Sequence, residues 1–276
     1  MRPDKLTYGN DSSAKTPTLK GKTILVTRSA GQSSKFTQLL QGEGARVIEM
    51  PALVIGPPSN WEGLDSAITC LSDFDWLILT STNGVDYFFE RLWKQGKDAS
   101  ALAAIKIAVV GRKTAASLNK RNLQPDFIPP NFVADSLIQE FPETLAGKKV
   151  LFPRVETGGR EVLVKEMRTQ GAIVTEVAAY ESRCPEQMAS AAEKALEKQE
   201  VDVITFASSK TVKNFVQLLD ISLQWQKPLF QLEGVQIASI GPQTSITCRQ
   251  LLGRVDIEAE EYTLEGLTQA IIGSRE

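Results

Sequence analysis

Short apolar runs rich in β-branched residues alternate along this chain with segments in which apolar residues recur every three or four positions. The runs have the length of buried strands, and the spaced pattern is typical of helices with one buried face. Strands that alternate with such helices indicate parallel α/β units. We predict six buried strands, at Thr23–Thr27, Trp76–Leu79, Ile105–Val110, Lys149–Phe152, Val201–Phe206 and Val235–Ile240.

The helical segments have recognisable apolar faces and ends. The helix after Arg28 is predicted to end near Gly42 and Gly44, because glycine adopts the left-handed conformation of a helix end at little cost. Two other helices each carry four apolar residues at helical spacing, which assigns their aromatic residues to a core. These faces are Val85, Phe88, Phe89 and Leu92 in the first half, and Val212, Phe215, Val216 and Leu219 in the second.

The whole pattern occurs twice. Gly21–Arg28 (GKTILVTR) returns as Gly147–Arg154 (GKKVLFPR), and Ile107–Thr114 returns 130 positions later as Ile237–Thr244. A duplicated unit of this length usually builds two similar lobes, and the space between two lobes is a common place for a binding site.

The composition limits the chemistry that this chain can perform. Of its 276 residues 42% are hydrophobic and 23% charged, as in globular domains, and no apolar stretch reaches the roughly 20 residues of a membrane span. The net charge is −2 without a basic stripe, which argues against nucleic-acid binding. Histidine is absent, which excludes histidine-based acid–base catalysis and the usual catalytic triads. Catalysis therefore depends on Tyr, Ser, Thr, Lys, Arg, carboxylates or the backbone.

Cysteine usage and the first residues indicate the compartment. Cys70, Cys184 and Cys248 are far apart and odd in number, so neither a disulfide framework nor a metal-binding pair is predicted, and we assign Cys70 and Cys248 to a core. Residues 1–20 are polar and are predicted to form a disordered leader. We expect a cytoplasmic protein, or a protein of the chloroplast stroma if the leader is the remnant of a transit peptide.

Four predicted strand-to-helix turns are rich in glycine and hydroxyl side chains: residues 80–84 (TSTNG), 111–114 (GRKT), 207–211 (ASSKT) and 241–244 (GPQT). Such turns meet at the carboxyl edge of a parallel sheet, where helix N-termini offer N–H groups to anions. The alternative is that these side chains only cap their helices. Four matched turns, two in each repeat, favour anion binding by Ser81, Thr82, Asn83, Gly84, Gly111, Thr114, Ser208, Ser209, Lys210, Gly241 and Thr244.

Three further side chains are candidates at strand ends. Arg28 and Arg154 each end the first strand of a repeat, where an arginine can hold a carboxylate with two hydrogen bonds or can pair with a neighbouring acid of the protein. Tyr180 closes the strand that precedes Cys184. A phenol, with a reference pKa of about 10, can donate a proton at neutral pH, although a tyrosine at a strand end more often serves packing.

These segments, in this order, resemble the uroporphyrinogen-III synthase family from Gly21 to the C-terminus. Each segment alone is weakly specific, whereas the ordered set is specific. The segments are ILVTR (24–28), LTSTNGV (79–85), Val110-Gly111 with Thr114, LFPR (151–154) with GRE (159–161), Gly171-Ala172 to Tyr180, FASS (206–209), and IGP (240–242) with Thr244.

The resemblance implies an α/β fold of two flavodoxin-like lobes with parallel sheets, joined by a two-stranded hinge. Residues 21–52 and 184–276 would form the first lobe and residues 55–180 the second, with hinges near 52–57 and 180–185. Prolines at 57, 58 and 185 suit these connections. Closure of the lobes over a substrate is then the expected motion.

The resemblance also implies a reaction. The family converts hydroxymethylbilane to uroporphyrinogen III by losing water, forming a spiro intermediate and closing the ring with the last pyrrole inverted, without a cofactor or metal. By similarity Tyr180 assists departure of the hydroxyl, while Thr114, Ser209 and Thr244 are polar residues near the substrate. A monomer with transient contact to the upstream bilane-forming enzyme is expected. The alternative hypothesis is a two-lobed module that binds a polyanion without chemistry.

Overall fold

The computed structural model describes residues 18–29, 33–130, 134–158, 161–222 and 232–274. The described residues form two compact units. The first unit contains the residues up to Leu53 and those from Cys184 onward, and the second contains Val54–Arg183. The strands are β1 (Thr23–Val26), β2 (Arg46–Glu49), β3 (Val54–Gly56), β4 (Trp76–Leu79), β5 (Lys106–Val109), β6 (Lys149–Val155), β7 (Ile173–Arg183), β8 (Val203–Phe206), β9 (Gln236–Ser239) and β10 (Ile257–Glu258).

The helices follow most of the strands, as parallel connections require. They are α1 (Ser34–Gly42), α2 (Glu62–Thr69), α3 (Thr82–Lys94), α4 (Arg112–Asn119), α5 (Ala134–Gln139), α6 (Glu161–Thr169), α7 (Ser190–Glu197), α8 (Ser209–Ser222), α9 (Pro242–Leu252) and α10 (Leu264–Gly273). Within the described ranges, no helix is both long and apolar enough to cross a membrane.

Each unit is built on one five-stranded sheet. The sheet of the first unit has the order β10-β9-β8-β1-β2, and all its pairs are parallel. The sheet of the second unit has the order β3-β7-β6-β4-β5, with β3 alone running antiparallel to its neighbour β7. The predicted class, α/β with parallel sheets, is confirmed.

The central strands are buried on both faces because helices cover both sides of each sheet. In β4 and β8, all four residues are buried, so their sequences are continuous apolar runs rather than alternating patterns. Aromatic side chains of the core come from strands and helices alike, as in the pair Phe206 and Phe215, whose ring centroids lie 5.3 Å apart. All six predicted strands are confirmed, with ends that differ by up to three residues.

One detail of each unit differs from the sequence-based expectation. Cys248 is buried in the core of the first unit, but Cys70 is exposed, because it follows the last residue of α2 instead of lying on its apolar face. The predicted leader lies mostly outside the described residues. Its last three residues form a turn in which Leu19 is buried and donates a backbone hydrogen bond to Glu43, so the folded chain begins before Gly21.

The chain passes from one unit to the other directly before β3 and directly after β7. β7 is one strand of 11 residues, whereas β2 and β3 are separated by a short segment that contains Pro51. The first residues of β7 pair with β6, and its last three, Glu181–Arg183, pair with β3. The predicted hinge motion at these strands remains a prediction.

Candidate active site

The carboxyl edge of the second unit's sheet brings three of the candidate segments together. β6, β4 and β5 are neighbours. Arg154 is the penultimate residue of β6, and the ends of β4 and β5 lead into the turns 80–84 and 111–114. α3 and α4 begin at the latter two turns. Because the first four N–H groups of a helix have no partner inside it, this edge can offer hydrogen-bond donors to a negatively charged group.

Tyr180 and Ser81 are hydrogen-bonded at this edge. Their hydroxyl oxygens lie 3.1 Å apart, and either can be the donor. Ser81 is also the N-cap of α3, where its hydroxyl accepts a hydrogen bond from the N–H of Gly84 at 3.0 Å. The alternative interpretation, that Ser81 caps its helix, is therefore correct. The same oxygen atom nevertheless contacts the leading catalytic candidate, so capping and a functional role are compatible.

Gly84 leaves room for this arrangement. A side-chain carbon at this position would lie 3.2 Å from the hydroxyl oxygen of Ser81 and 3.9 Å from the ring of Tyr180. Thr82 and Asn83, the first two residues of α3, are half-buried beside it. In the next turn along the chain, Thr114 is buried in the first turn of α4.

An irregularity of β7 sets the direction of the Tyr180 side chain. Arg154 of β6 pairs with Ala178, but Val155 pairs with Tyr180, so one residue of β7 is skipped. Consecutive residues of a regular strand point to opposite faces. Here Ala179 and Tyr180 both pack against the core beneath α3. An extra residue of this kind is a bulge, which redirects a side chain near a site.

A second tyrosine supports the ring of Tyr180. The rings of Tyr87 and Tyr180 are stacked with centroids 6.0 Å apart and planes 19° apart. The hydroxyl of Tyr87 donates to the carbonyl oxygen of Ile55 at 3.4 Å, and burial raises the pKa of Tyr87 above its ordinary value. Tyr87 is not among the site residues predicted from the sequence. The sequence does contain an indication of its position: Tyr87 follows Gly84 by three residues, so the two lie on the same face of α3.

Arg154 is engaged within the protein. Its guanidinium forms an ion pair with Glu176 at 2.6 Å and donates to the carbonyl oxygen of Gly158, while its Nε is buried without a hydrogen-bond partner among the described residues. This arrangement favours the internal ion pair over the carboxylate clamp. Arg28, at the end of β1, is half-buried, and burial lowers the pKa of its guanidinium.

The first unit has a comparable edge where β9, β8 and β1 end. Ser208 accepts a hydrogen bond from the N–H of Thr211 at 3.3 Å, as a helix cap does. The hydroxyl of Ser209 donates to the carbonyl oxygen of Gln243 at 2.9 Å, which joins the turns 207–211 and 241–244. Lys210 is half-buried in this edge and Thr244 is buried. The candidates of each unit therefore lie along the carboxyl edge of that unit's sheet.

The glycines of the two matched turns differ in conformation. Gly111 has φ 90°, a left-handed value that favours glycine, and Gly241 has φ 162°, an extended value that any residue adopts.

Among the described residues, no group of three or more Cys, Asp or Glu side chains is arranged to hold a metal ion.

Comparison with known proteins identifies the family. Residues 34–269 match the family model described as uroporphyrinogen-III synthase HemD. A uroporphyrinogen-III synthase of Synechococcus elongatus is 54% identical over 92% of this chain and 95% of its own length. A putative uroporphyrinogen-III synthase of Methanothermobacter thermautotrophicus is 30% identical over 90% and 96%.

Solved structures show the same fold. A crystal structure of a mutant uroporphyrinogen III synthase from Thermus thermophilus superimposes with a TM-score of 0.60 at 17% identity, covering 92% of this chain and 98% of that one. The fold, the match to the family model and the cyanobacterial relative agree. The chain belongs to the uroporphyrinogen-III synthase family of enzymes.

Proposed function

We propose that this protein converts hydroxymethylbilane to uroporphyrinogen III, with Tyr180 as the acid that assists loss of the terminal hydroxyl. The observation that carries this assignment is the hydrogen bond between Tyr180 and Ser81 at the N-terminus of α3. In this reaction the hydroxyl leaves as water, the substituted carbon of the last pyrrole attacks the resulting azafulvene, and the spiro intermediate rearranges to the inverted macrocycle.

The hydrogen bonds of Ser81 are compatible with donation of the Tyr180 proton to the substrate. Ser81 already accepts the N–H of Gly84, and its own hydroxyl hydrogen can be donated to the phenol oxygen. In that arrangement the phenol proton points away from Ser81 and is available to the leaving hydroxyl. The phenolate that results keeps the hydrogen bond from Ser81 and lies near the positive end of α3. Ser81 thus stabilises the charge that forms on Tyr180.

The remaining candidates serve binding in this proposal. The acetate and propionate groups of the bilane need donors, and the N-terminal turns of α3, α4, α8 and α9 supply backbone N–H groups, with Lys210 and Arg28 as cations. Thr114 and Thr244 are buried in the first turns of α4 and α9, so they shape these turns from beneath. Arg154 serves mainly to fix the end of β6 through Glu176.

The decisive experiment is a product assay. Purified protein is mixed with freshly made hydroxymethylbilane, the products are oxidised, and the isomers are separated. We expect the inverted type III isomer in excess over the type I isomer that forms without an enzyme. Formation of the type I isomer alone, at the uncatalysed rate, would contradict the proposal and leave polyanion binding as the remaining hypothesis.

A further inference from the structure

An exposed aromatic side chain lies at the carboxyl edge of the first unit. Tyr262 is 66% exposed, the largest value among the exposed large hydrophobic residues that the structure describes. It belongs to the loop between β10 and α10, beside the end of β9. Ligands bind at this edge in α/β sheets, so an exposed aromatic side chain here is a candidate ligand contact.

The ring of Tyr262 lies directly against Gly241, the residue that begins the fourth turn. A side-chain carbon on Gly241 would lie 2.8 Å from Cδ1 of Tyr262, closer than carbon atoms pack, and 3.2 Å from its Cγ. The extended φ of Gly241 does not favour glycine, so the constraint on this position is the neighbouring ring, which would have to move to admit a side chain. At the matching Gly111 nothing lies within 4 Å of such a carbon, and only the left-handed φ requires glycine.

The loop holds Tyr262 in place at both ends. Before it, the N–H of Ala259 donates to Ser239 of β9 at 3.0 Å. After it, Thr263 caps α10 by accepting the N–H of Gly266 at 2.9 Å, and its own N–H donates to Glu261 at 2.7 Å. The loop also passes so close to Gly266 that a side chain there would collide with the backbone of Glu261. The backbone that carries the exposed ring is thus held by hydrogen bonds on both sides of Tyr262.

We propose that Tyr262 is a stacking platform for a pyrrole ring of the substrate, beside the first turn of α9. This inference rests on the proposed function. The flat face of an aromatic ring matches the flat face of a pyrrole. The exposed acids Glu260 and Glu261 precede the tyrosine, so the uncharged pyrrole face suits this position better than a carboxylate.

The first test compares substitutions at position 262 in the full-length protein. Tyr262→Ala is expected to raise KM for hydroxymethylbilane roughly three- to tenfold with a smaller change in kcat, because one aromatic contact is lost. Tyr262→Phe keeps the ring and is expected to retain a KM near that of the wild type. Ile246→Ala, which truncates an exposed apolar residue of α9, is the control and should leave KM unchanged.

The second test uses the contact with Gly241. Gly241→Ala forces the ring aside and is expected to raise KM about as much as Tyr262→Ala does, whereas the double variant should show no further increase. Fully additive effects would show that the two residues act separately and would overturn the platform.

The two proposals fail differently. A wild-type protein that forms the type III isomer while Tyr262→Ala has an unchanged KM would refute the platform and leave the proposed function intact. If the wild type forms only the type I isomer, the proposed function fails. The affinity for uroporphyrin III, measured by quenching of tryptophan fluorescence, then tests the platform without catalysis: an equal Kd for the wild type and Tyr262→Ala would refute it.

Discussion

At the scale of single residues, the second unit concentrates its chemistry in two hydroxyl groups. Tyr180 and Ser81 are 99 positions apart in the chain and 3.1 Å apart in the structure. Tyr87 stacks on one side of the Tyr180 ring, and Gly84 leaves space on another. Because the chain contains no histidine, a phenol positioned in this way is the best available donor of a proton to a leaving hydroxyl.

Substitution of Tyr180 tests this role. Tyr180→Phe removes only the hydroxyl and is expected to lower kcat by about 10²- to 10⁴-fold, the usual range for loss of a general acid, with little change in KM. The matched control is Tyr87→Phe, which removes the hydroxyl of the stacked neighbour and keeps its ring. Stopped-flow or quenched assays of type III isomer formation measure both variants. Wild-type turnover in Tyr180→Phe would assign Tyr180 to packing.

Ser81 has a separate and smaller predicted effect. Ser81→Ala loses the N-cap of α3, which costs about 1 kcal/mol of stability, and also loses the hydrogen bond to Tyr180. We expect kcat to fall in addition to this stability loss. Asp98→Ala removes a cap of the short helical turn Ala99–Leu102 in the same unit and serves as the control. It should lose stability, as measured by urea unfolding, but keep its kcat.

At the scale of secondary-structure elements, the turns after the strands carry both stability and binding. Gly111 precedes α4 with φ 90°, where the cost of a side chain is conformational because nothing crowds the position.

The network around Glu143 connects three strands of the second unit. Its carboxylate accepts hydrogen bonds from Trp76 of β4 at 2.9 Å and from Lys106 of β5 at 2.8 Å, and it pairs with Lys148, which precedes β6, at 3.1 Å.

The conformation of Gly111 can be tested by adding one methyl group. Gly111→Ala is expected to lower the free energy of unfolding by about 1 to 2 kcal/mol, the cost of a left-handed conformation for a residue with a side chain. Gly42→Ala is the control, because Gly42 has no left-handed φ and no atom within 4 Å of the added carbon. Urea unfolding of both variants measures the difference. Equal stability of the two would show that α4 begins with a different backbone conformation.

The Glu143 network predicts a pH dependence of stability. Hydrogen bonds from Lys106 and then Lys148 lower the pKa of Glu143 from 4.5 to about 2. The carboxylate of Glu143 therefore binds a proton less readily in the folded state than in the unfolded chain. The stability that the ionised carboxylate contributes is complete above pH 4.5 and is lost as the pH falls towards 2.

Glu143→Gln tests this window. The variant should be less stable than the wild type at pH 7, and the difference should shrink as unfolding is measured at pH 4 and then pH 3. Salt should also reduce it, because the network is accessible to solvent. Glu140→Gln, at an exposed position in the same unit, is the control and should match the wild type at each pH. A difference that grows as the pH falls would contradict the assigned network.

At the scale of the whole molecule, one unit is inserted in the sequence of the other. The second unit is a single continuous segment, Val54–Arg183. Its two terminal residues lie opposite each other, because Val54 of β3 pairs with Arg183 of β7. Adjacent ends of this kind are typical of domains that tolerate insertion, because the surrounding chain continues across a short gap. Each unit has its own sheet and its own apolar core.

This organisation predicts that the second unit folds without the first. Residues 54–183 expressed alone should show a far-UV circular dichroism spectrum of a mixed α/β protein and a single cooperative transition in urea. The control is the first unit with Leu53 joined to Cys184 by a short glycine–serine linker, which should also unfold cooperatively. Gradual, non-cooperative unfolding of the 54–183 fragment would show that its core depends on the rest of the chain.

The sequence by itself determined the elements, the family and the positions of the turns. Buried parallel strands are continuous apolar runs and helices have a period of 3.6, so both are visible in local patterns. Tertiary structure decided which residues meet. The bulge at Ala179 turns Tyr180 towards Ser81, and the loop after β10 lays Tyr262 on Gly241. The first contact joins residues about a hundred positions apart in the chain, and the second joins residues about twenty positions apart. Both depend on strand register and on the path of a loop, which local periodicity does not encode.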